Sequence, residues 1–284
     1  MRSATALDRL CGGQAITVVT VGASSTGTAA RSPCGWARHD SGETAQACRA
    51  RRNATTAHGR GPAGLGTLGW SVGVGARDDR RRSVAVEKLR AAGIDAFAVP
   101  LDVTDDASAR AAARLIDEQA GRLDVLVNNA AIAGDMPQEP TRIDPATIHT
   151  VVDTNVIGVI RVTNAMLPLL RRSAAPRIVN MSSGVGSLTR QSGPAAERTA
   201  GPVSAAYAPS KTFLNAVTLQ YARELSGTNI LINTGCPGYV ATDLNGFRGV
   251  RTPEQGAAIA VELATLPDDG PTGQFFDDAG AVPW

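Results

Sequence analysis

The stretch Arg177-Ile178-Val179-Asn180-Met181-Ser182-Ser183-Gly184 reads as a strand from Arg177 to Met181 that runs into serine and glycine, residues suited to a turn. Helical spacing follows from Ala206 to Ser226, and Ile230 to Thr234 reads as the next strand. The same alternation extends upstream. Trp70 to Ala76 is strand-like, Ser83 to Ala92 helical, and Ala96 to Val103 strand-like again. Thr104 is placed to cap an alanine-rich helix running to about Gln119, with Asp105 and Asp106 in its first turn. Leu123 to Asn128 is a strand, and Asp144-Pro145 opens a helix expected to continue to about Arg172. Downstream, Thr252-Pro253-Glu254 caps a last helix, and Gln274 to Phe276 reads as a short edge strand. Strands alternating with helices of ten or more residues predict an α/β fold, a doubly wound parallel sheet with right-handed crossovers.

Length and composition are consistent with a single domain. The chain has 284 residues, 43% hydrophobic and 19% charged, with a formal net charge of +2. That balance calls for neither nucleic acid nor a membrane surface as partner. No apolar run reaches eighteen residues, and Arg2, Asp8 and Arg9 interrupt the start, so neither a membrane span nor a signal peptide is expected. Cys11, Cys34, Cys48 and Cys236 show no metal-ligand spacing, which predicts a reduced, cytoplasmic protein without a metal. Residues 1–62 stand apart from residues 63–284. They are rich in Arg, Thr, Ala, Ser and Gly, have one strand-like stretch at Ala15 to Val21, and otherwise lack an amphipathic period. Such composition offers little apolar surface to offset ordering entropy, so the plain reading is a poorly packed extension.

Chemistry concentrates at the strand ends. Tyr207 and Lys211 stand four residues apart at the start of the helix, so both side chains leave one face. A nearby ammonium favours the phenolate, and the expectation is that Lys211 lowers the Tyr207 pKa. Alone, the pair could be an idle helix-surface contact. Ser183 lies at the carboxyl end of a strand, where ligands of open α/β sheets sit and where a hydroxyl can meet developing negative charge. Ser-Ser-Gly also makes an ordinary turn. Asn128-Asn129-Ala130-Ala131 ends the preceding strand, Asn155 occupies mid-helix without a propensity reason, and Cys236-Pro237-Gly238-Tyr239-Val240-Ala241-Thr242 closes another strand.

Taken together and in this order, these motifs resemble the short-chain dehydrogenase/reductase family over about residues 64 to 284, with a single Rossmann-like domain. The resemblance implies that Tyr207 is the general acid or base, Lys211 tunes it and holds the nicotinamide ribose, Ser183 polarises a substrate carbonyl, and Asn155 holds a water of the proton relay. It also implies that Asn129 and Ala130 line the adenine-ribose side of the cofactor, Asp102 and Val103 flank the adenine, and Val240 meets the carboxamide with Thr242 nearby. The long interval between Ser183 and Tyr207, with Leu188 to Ser204 read as a loop over the cleft, resembles carbonyl-reductase-like members. Arg77, after Ala76 at a strand tip, suits the 2'-phosphate of NADP(H) rather than the ribose of NAD(H), although it could be a solvated charge beside Arg80, Arg81 and Arg82. The implied substrate is a small carbonyl or alcohol, and the implied assembly a homodimer or homotetramer.

One family signature is missing. TGxxxGxG should join the first strand to the first helix, yet family spacing from Arg77 falls near Arg52, Thr56 and His58. Gly59-Arg60-Gly61-Pro62-Ala63-Gly64 follows a poor strand, and Gly22-Ala23-Ser24-Ser25-Thr26-Gly27 lies far upstream. The alternative function is therefore a reductase-fold binding or regulatory module with impaired catalysis. An abrupt change of this kind is what a shifted reading frame produces. Sequencing the coding DNA is expected to reveal TGxxxGxG in an alternative frame upstream of Gly64; its absence from both frames refutes the frameshift.

Overall fold

The computed structural model describes residues 17–21, 65, 68–193 and 203–284. Their strands form one eight-stranded sheet: β1 (Thr17–Val21), β2 (Ser71–Ala76), β3 (Ala96–Pro100), β4 (Val125–Asn128), β5 (Arg177–Met181), β6 (Leu231–Gly235), β7 (Phe275–Asp277) and β8 (Gly280–Ala281). The order is β3-β2-β1-β4-β5-β6-β7-β8, so the direction of winding reverses beside β1, the place where ligands of doubly wound sheets collect. The helices are α1 (Asp79–Ala91), α2 (Asp106–Ala120), α3 (Pro145–Val152), α4 (Gly158–Leu170), α5 (Leu188–Ser192), α6 (Tyr207–Glu224) and α7 (Pro253–Ala264).

Side-chain alternation along the strands builds two cores. Val125 and Val127 of β4 face one side with Val72, Val74, Leu89 of α1 and Ile259 and Leu263 of α7. Leu126, between them, faces the other with Ile116 of α2, Val162 and Met166 of α4 and Ile178 of β5. Both faces of the central strands are thus dry, which is why they read as unbroken apolar runs.

Several local expectations are corrected. The sheet is parallel between β2 and β3 and from β4 through β7, but β1 pairs antiparallel with both β2 and β4. Its Thr-Val-Val-Thr-Val run has strong strand preference, and its insertion pairs the inner edges that β2 and β4 would otherwise leave open. Asp105, not Thr104, caps α2: its carboxylate accepts from Ala107 N at 2.9 Å and Ser108 N at 3.2 Å. The hydroxyl of Thr104 instead donates to Asp102. The helix expected from Asp144 to Arg172 is broken at Asp153–Ile157 by a π-helical turn, which widens the ladder around Asn155. β7 is not the sheet edge, because β8 pairs antiparallel with it. The segment from Leu188 begins as helix α5, and residues 194–202 lie outside the described residues, as do both glycine-rich candidates, Cys11, Cys34 and Cys48.

Under the strand ends runs a buried polar ladder. Asn128 Nδ2 donates to Asn180 Oδ1 at 2.9 Å and to Thr163 Oγ1 at 3.1 Å, and Asn180 Nδ2 donates to Thr218 Oγ1 at 2.9 Å. It fastens α4 and α6 to β4 and β5. Replacing the middle rung, Asn180→Leu, leaves buried groups unpaired on both sides, at about 1–3 kcal/mol for each. The expected result is a lower urea midpoint; an unchanged midpoint contradicts the ladder.

Candidate active site

The carboxyl ends of β5 and β6 are held together as they leave the sheet, where Ser182 N donates to Gly235 O at 2.8 Å. Ser183 follows in extended backbone and opens a single 3₁₀ turn, Gly184–Gly186. Gly186 permits the next contact: a Cβ there would stand 2.9 Å from the carbonyl carbon of Lys211, so only a hydrogen lets the turn rest on α6. Asn215 Nδ2 closes that contact on Gly186 O at 3.1 Å. Ser183 is thereby placed beside the Tyr207 hydroxyl, near enough to favour its ionised form.

Tyr207 opens α6 and Lys211 stands one turn later. The Lys211 side chain is buried, its Nζ donates to Met181 O at 2.8 Å, and it stands 5.6 Å from the centre of the Tyr207 ring. Burial dominates the acid–base behaviour of both. It pushes the Tyr207 phenol up to about 12; the neighbouring Cys236 sulfur adds to the rise and the Ser183 hydrogen bond opposes it. It also pushes the Lys211 ammonium down to about 8 against the opposing influence of Cys236. The expectation that Lys211 brings Tyr207 below its ordinary pKa is therefore corrected: desolvation wins. Tyr207 is protonated throughout the neutral range, the state of a proton donor.

Asn155 is fully buried behind the cleft wall. Its Oδ1 accepts from Ile132 N at 2.8 Å, and its Nδ2 donates to Ile132 O at 3.0 Å and to Ser210 Oγ at 2.9 Å. Ser210 Oγ in turn donates to Tyr207 O at 2.7 Å. This carboxamide therefore secures the segment after β4 and the first turn of α6.

A cleft of about 1740 Å3 brings together Asn129, Ser183, Tyr207, Lys211, Val240 and Thr242. Four other sequence candidates do not line it. Ala130 is buried, and Ala131 takes the cleft position beside Asn129. Asp102 folds onto its own turn, its Oδ1 accepting from Thr104 N at 2.9 Å, and is held below the usual carboxylate pKa: the Thr104 hydrogen bonds and the charges of Arg77 and Arg161 outweigh the opposing effect of burial. Val103 packs against Gly158 and gives its carbonyl to Arg161 Nη1 at 2.6 Å. Arg77 is exposed at the tip of β2. Its neighbour Arg82, read from sequence as part of a solvated run, is buried and donates from Nη1 to Ala76 O at 2.6 Å.

Three cleft residues escaped the sequence reading of roles. Cys236 sits beside Tyr207 and Lys211; its position at the end of β6 was the available signal. Arg190 of α5 pairs with Asp277 of β7 at 2.9 Å. Gln138, 1% exposed, has no motif around it.

The family model for short chain dehydrogenases matches residues 63–250. Short-chain dehydrogenase/reductase 1 of Saponaria officinalis is 33% identical over 273 residues, covering 78% of this chain and 90% of that protein. Carbonyl reductase [NADPH] 1 of Sus scrofa is 33% identical over 249 residues, covering 74% and 83% respectively. Among solved structures, salutaridine reductase from Papaver somniferum superposes with a TM-score of 0.61 at 30% identity, over 72% of this chain and 90% of its own. The NADPH-bound carbonyl reductase from chicken fatty liver gives 0.63 at 27% identity, over 79% and 95%. With a doubly wound sheet, a serine at the end of β5 and the Tyr207–Lys211 turn in one cleft, the chain belongs to the short-chain dehydrogenase family of oxidoreductases.

Proposed function

We propose that the protein is an NADP(H)-dependent reductase of aldehydes or ketones, with Tyr207 as the proton donor. The observation that carries this reading is the convergence of Ser183, Tyr207 and Lys211 on one cleft at the carboxyl ends of β5 and β6. The Ser183 hydroxyl donates a hydrogen bond to the carbonyl oxygen as it gains charge, and Tyr207 delivers its proton to that oxygen. The Lys211 ammonium offsets the charge left on the phenol. The nicotinamide, when bound, supplies hydride to the carbonyl carbon. Val240 and Thr242 would border it, and Lys211 would hold its ribose.

The described residues fit such a cofactor at both ends. Among the described residues, both carboxylates that follow the tip of β2 are engaged: Asp78 caps α1 by accepting from Arg81 N at 2.7 Å, and Asp79 pairs with Arg82. Arg77 stands exposed there, as a 2'-phosphate requires. The substrate side is apolar. Met136, Leu188, Val203 and Tyr239 line the cleft while 51–62% exposed, a rim that suits a hydrophobic carbonyl compound better than a polyol.

NADPH consumption with a panel of apolar aldehydes and ketones is expected in the parent and to fall about 10²–10⁴-fold in Tyr207→Phe. A failure to bind NADPH at all would instead favour the binding-module reading. The pH profile carries the signature of burial. Tyr207, at about 12, stays protonated through neutral and mildly alkaline pH, whereas Lys211 loses its charge near 8. Reductive kcat/KM is therefore expected to be level below about pH 8 and to decline above it. A level profile to pH 10 would show that the Lys211 charge is not needed.

A further inference from the structure

We propose that Gln138 is a positioning residue for Tyr207, an internal cap that aims the first turn of α6; this deepens the reductase reading and rests on it. Most of the helices begin with a side-chain cap of their own, such as Asp105 on α2, Asp144 on α3 and Thr252 on α7. α6 does not. Ala206 stands at its N-cap position and has no side chain to offer, although the next residue carries the chemistry.

Gln138 fills that role from 69 residues upstream. Its Oε1 accepts from Ser204 Oγ at 2.7 Å, Ala206 N at 3.3 Å and Tyr207 N at 3.4 Å. Its Nε2 donates to Ala133 O at 2.7 Å and Asp135 O at 3.2 Å, and its backbone carbonyl accepts from Ala205 N at 2.9 Å. The acceptor half therefore grips the start of α6 while the donor half grips the segment after β4. Gly134 makes room for it: at φ +81 a Cβ would stand 3.1 Å from Gln138 Nε2 and 2.7 Å from Val151 Cγ2.

Asn155 has the same two-sided geometry, holding Ile132 on one side and, through Ser210, the Tyr207 carbonyl on the other. Two buried carboxamides thus bracket Tyr207, one directly on its N–H and one, by way of the Ser210 hydroxyl, on its C=O. A glutamine is suited to this task because it donates and accepts without bringing a charge next to a phenol that must keep its proton.

Gln138→Met keeps the volume and removes both halves; Gln138→Glu keeps an accepting oxygen and gives up donation. Each is compared with Ile116→Val, a core truncation in α2 remote from the cleft. Gln138→Met is expected to lower kcat by about 10- to 100-fold, the scale for a misplaced catalytic group, with KM for NADPH within about twofold. Gln138→Glu recovers part of that loss. Amide hydrogen exchange at residues 204–210 is expected to quicken in Gln138→Met and stay unchanged in Ile116→Val, a readout that needs no turnover. Unchanged exchange, a kcat loss no larger than that of Ile116→Val at matched melting temperature, or a loss confined to KM for NADPH each overturns the proposal. An inactive parent would count against the reductase reading, while the exchange measurement still decides the role of Gln138.

Discussion

The buried contact between the Lys211 ammonium and the Met181 carbonyl is the constraint around which this molecule is arranged. An ammonium removed from water must be given partners, and a single carbonyl is a modest one. That carbonyl is available only because β5 ends at Met181 and the chain turns away at Ser183 instead of pairing further. The same contact fixes α6 against the end of the sheet and so fixes Tyr207 one turn earlier. Gly186 allows the approach, and the ladder from Thr163 through Asn128 and Asn180 to Thr218 keeps helices and strands in register beneath it. The reacting groups stand on a stiff polar frame.

Much of this was legible from residue types. The strand Arg177 to Met181 was read with both of its observed ends, because a short run centred on Ile178 and Val179 stops at Ser-Ser-Gly. Asp144 and Thr252 were read as caps for the same local reason, since an oxygen one turn from an open N–H needs no distant partner. Tyr207, Lys211 and Ser183 were found because their chemistry is tied to helix spacing and strand ends. What escaped depends on contacts distant in sequence. The direction of β1 is set by the edges it fills, not by its own five residues. The π-helical turn at Asn155 leaves no mark on apolar spacing. Gln138 looks like any loop glutamine until α6 is laid across it. Ala130 and Ala131 are chemically identical choices, and only the course of the chain after β4 decides which one meets the cleft.

Burial also governs how the site divides its acid–base roles. Desolvation moves phenol and ammonium toward their neutral forms, so burial works against an ion pair between them. A tyrosine held near 12 is a weak acid that keeps its proton at neutral pH. Negative charge on a substrate oxygen is what would draw that proton out, at the moment Ser183 and Lys211 face the charge. Burial also pushes the Cys236 thiol up, the same direction it takes the phenol.

The same shift sets catalysis against stability. The folded protein holds the Lys211 proton less tightly than the unfolded chain, which binds it up to the ordinary lysine value of 10.5. Where the unfolded state binds more protons, stability rises with pH, so this residue weighs against folding below about pH 8 and ceases to do so as pH climbs toward 10.5. The charged form that the proposed proton transfer would use is the form that burial disfavours. The frame beneath it, with its paired carboxamides and its two dry sheet faces, is what lets the protein keep that charge in place at neutral pH. A site assembled on a softer support would relieve the strain by letting Lys211 swing out to water, and Tyr207 would lose its neighbour with it.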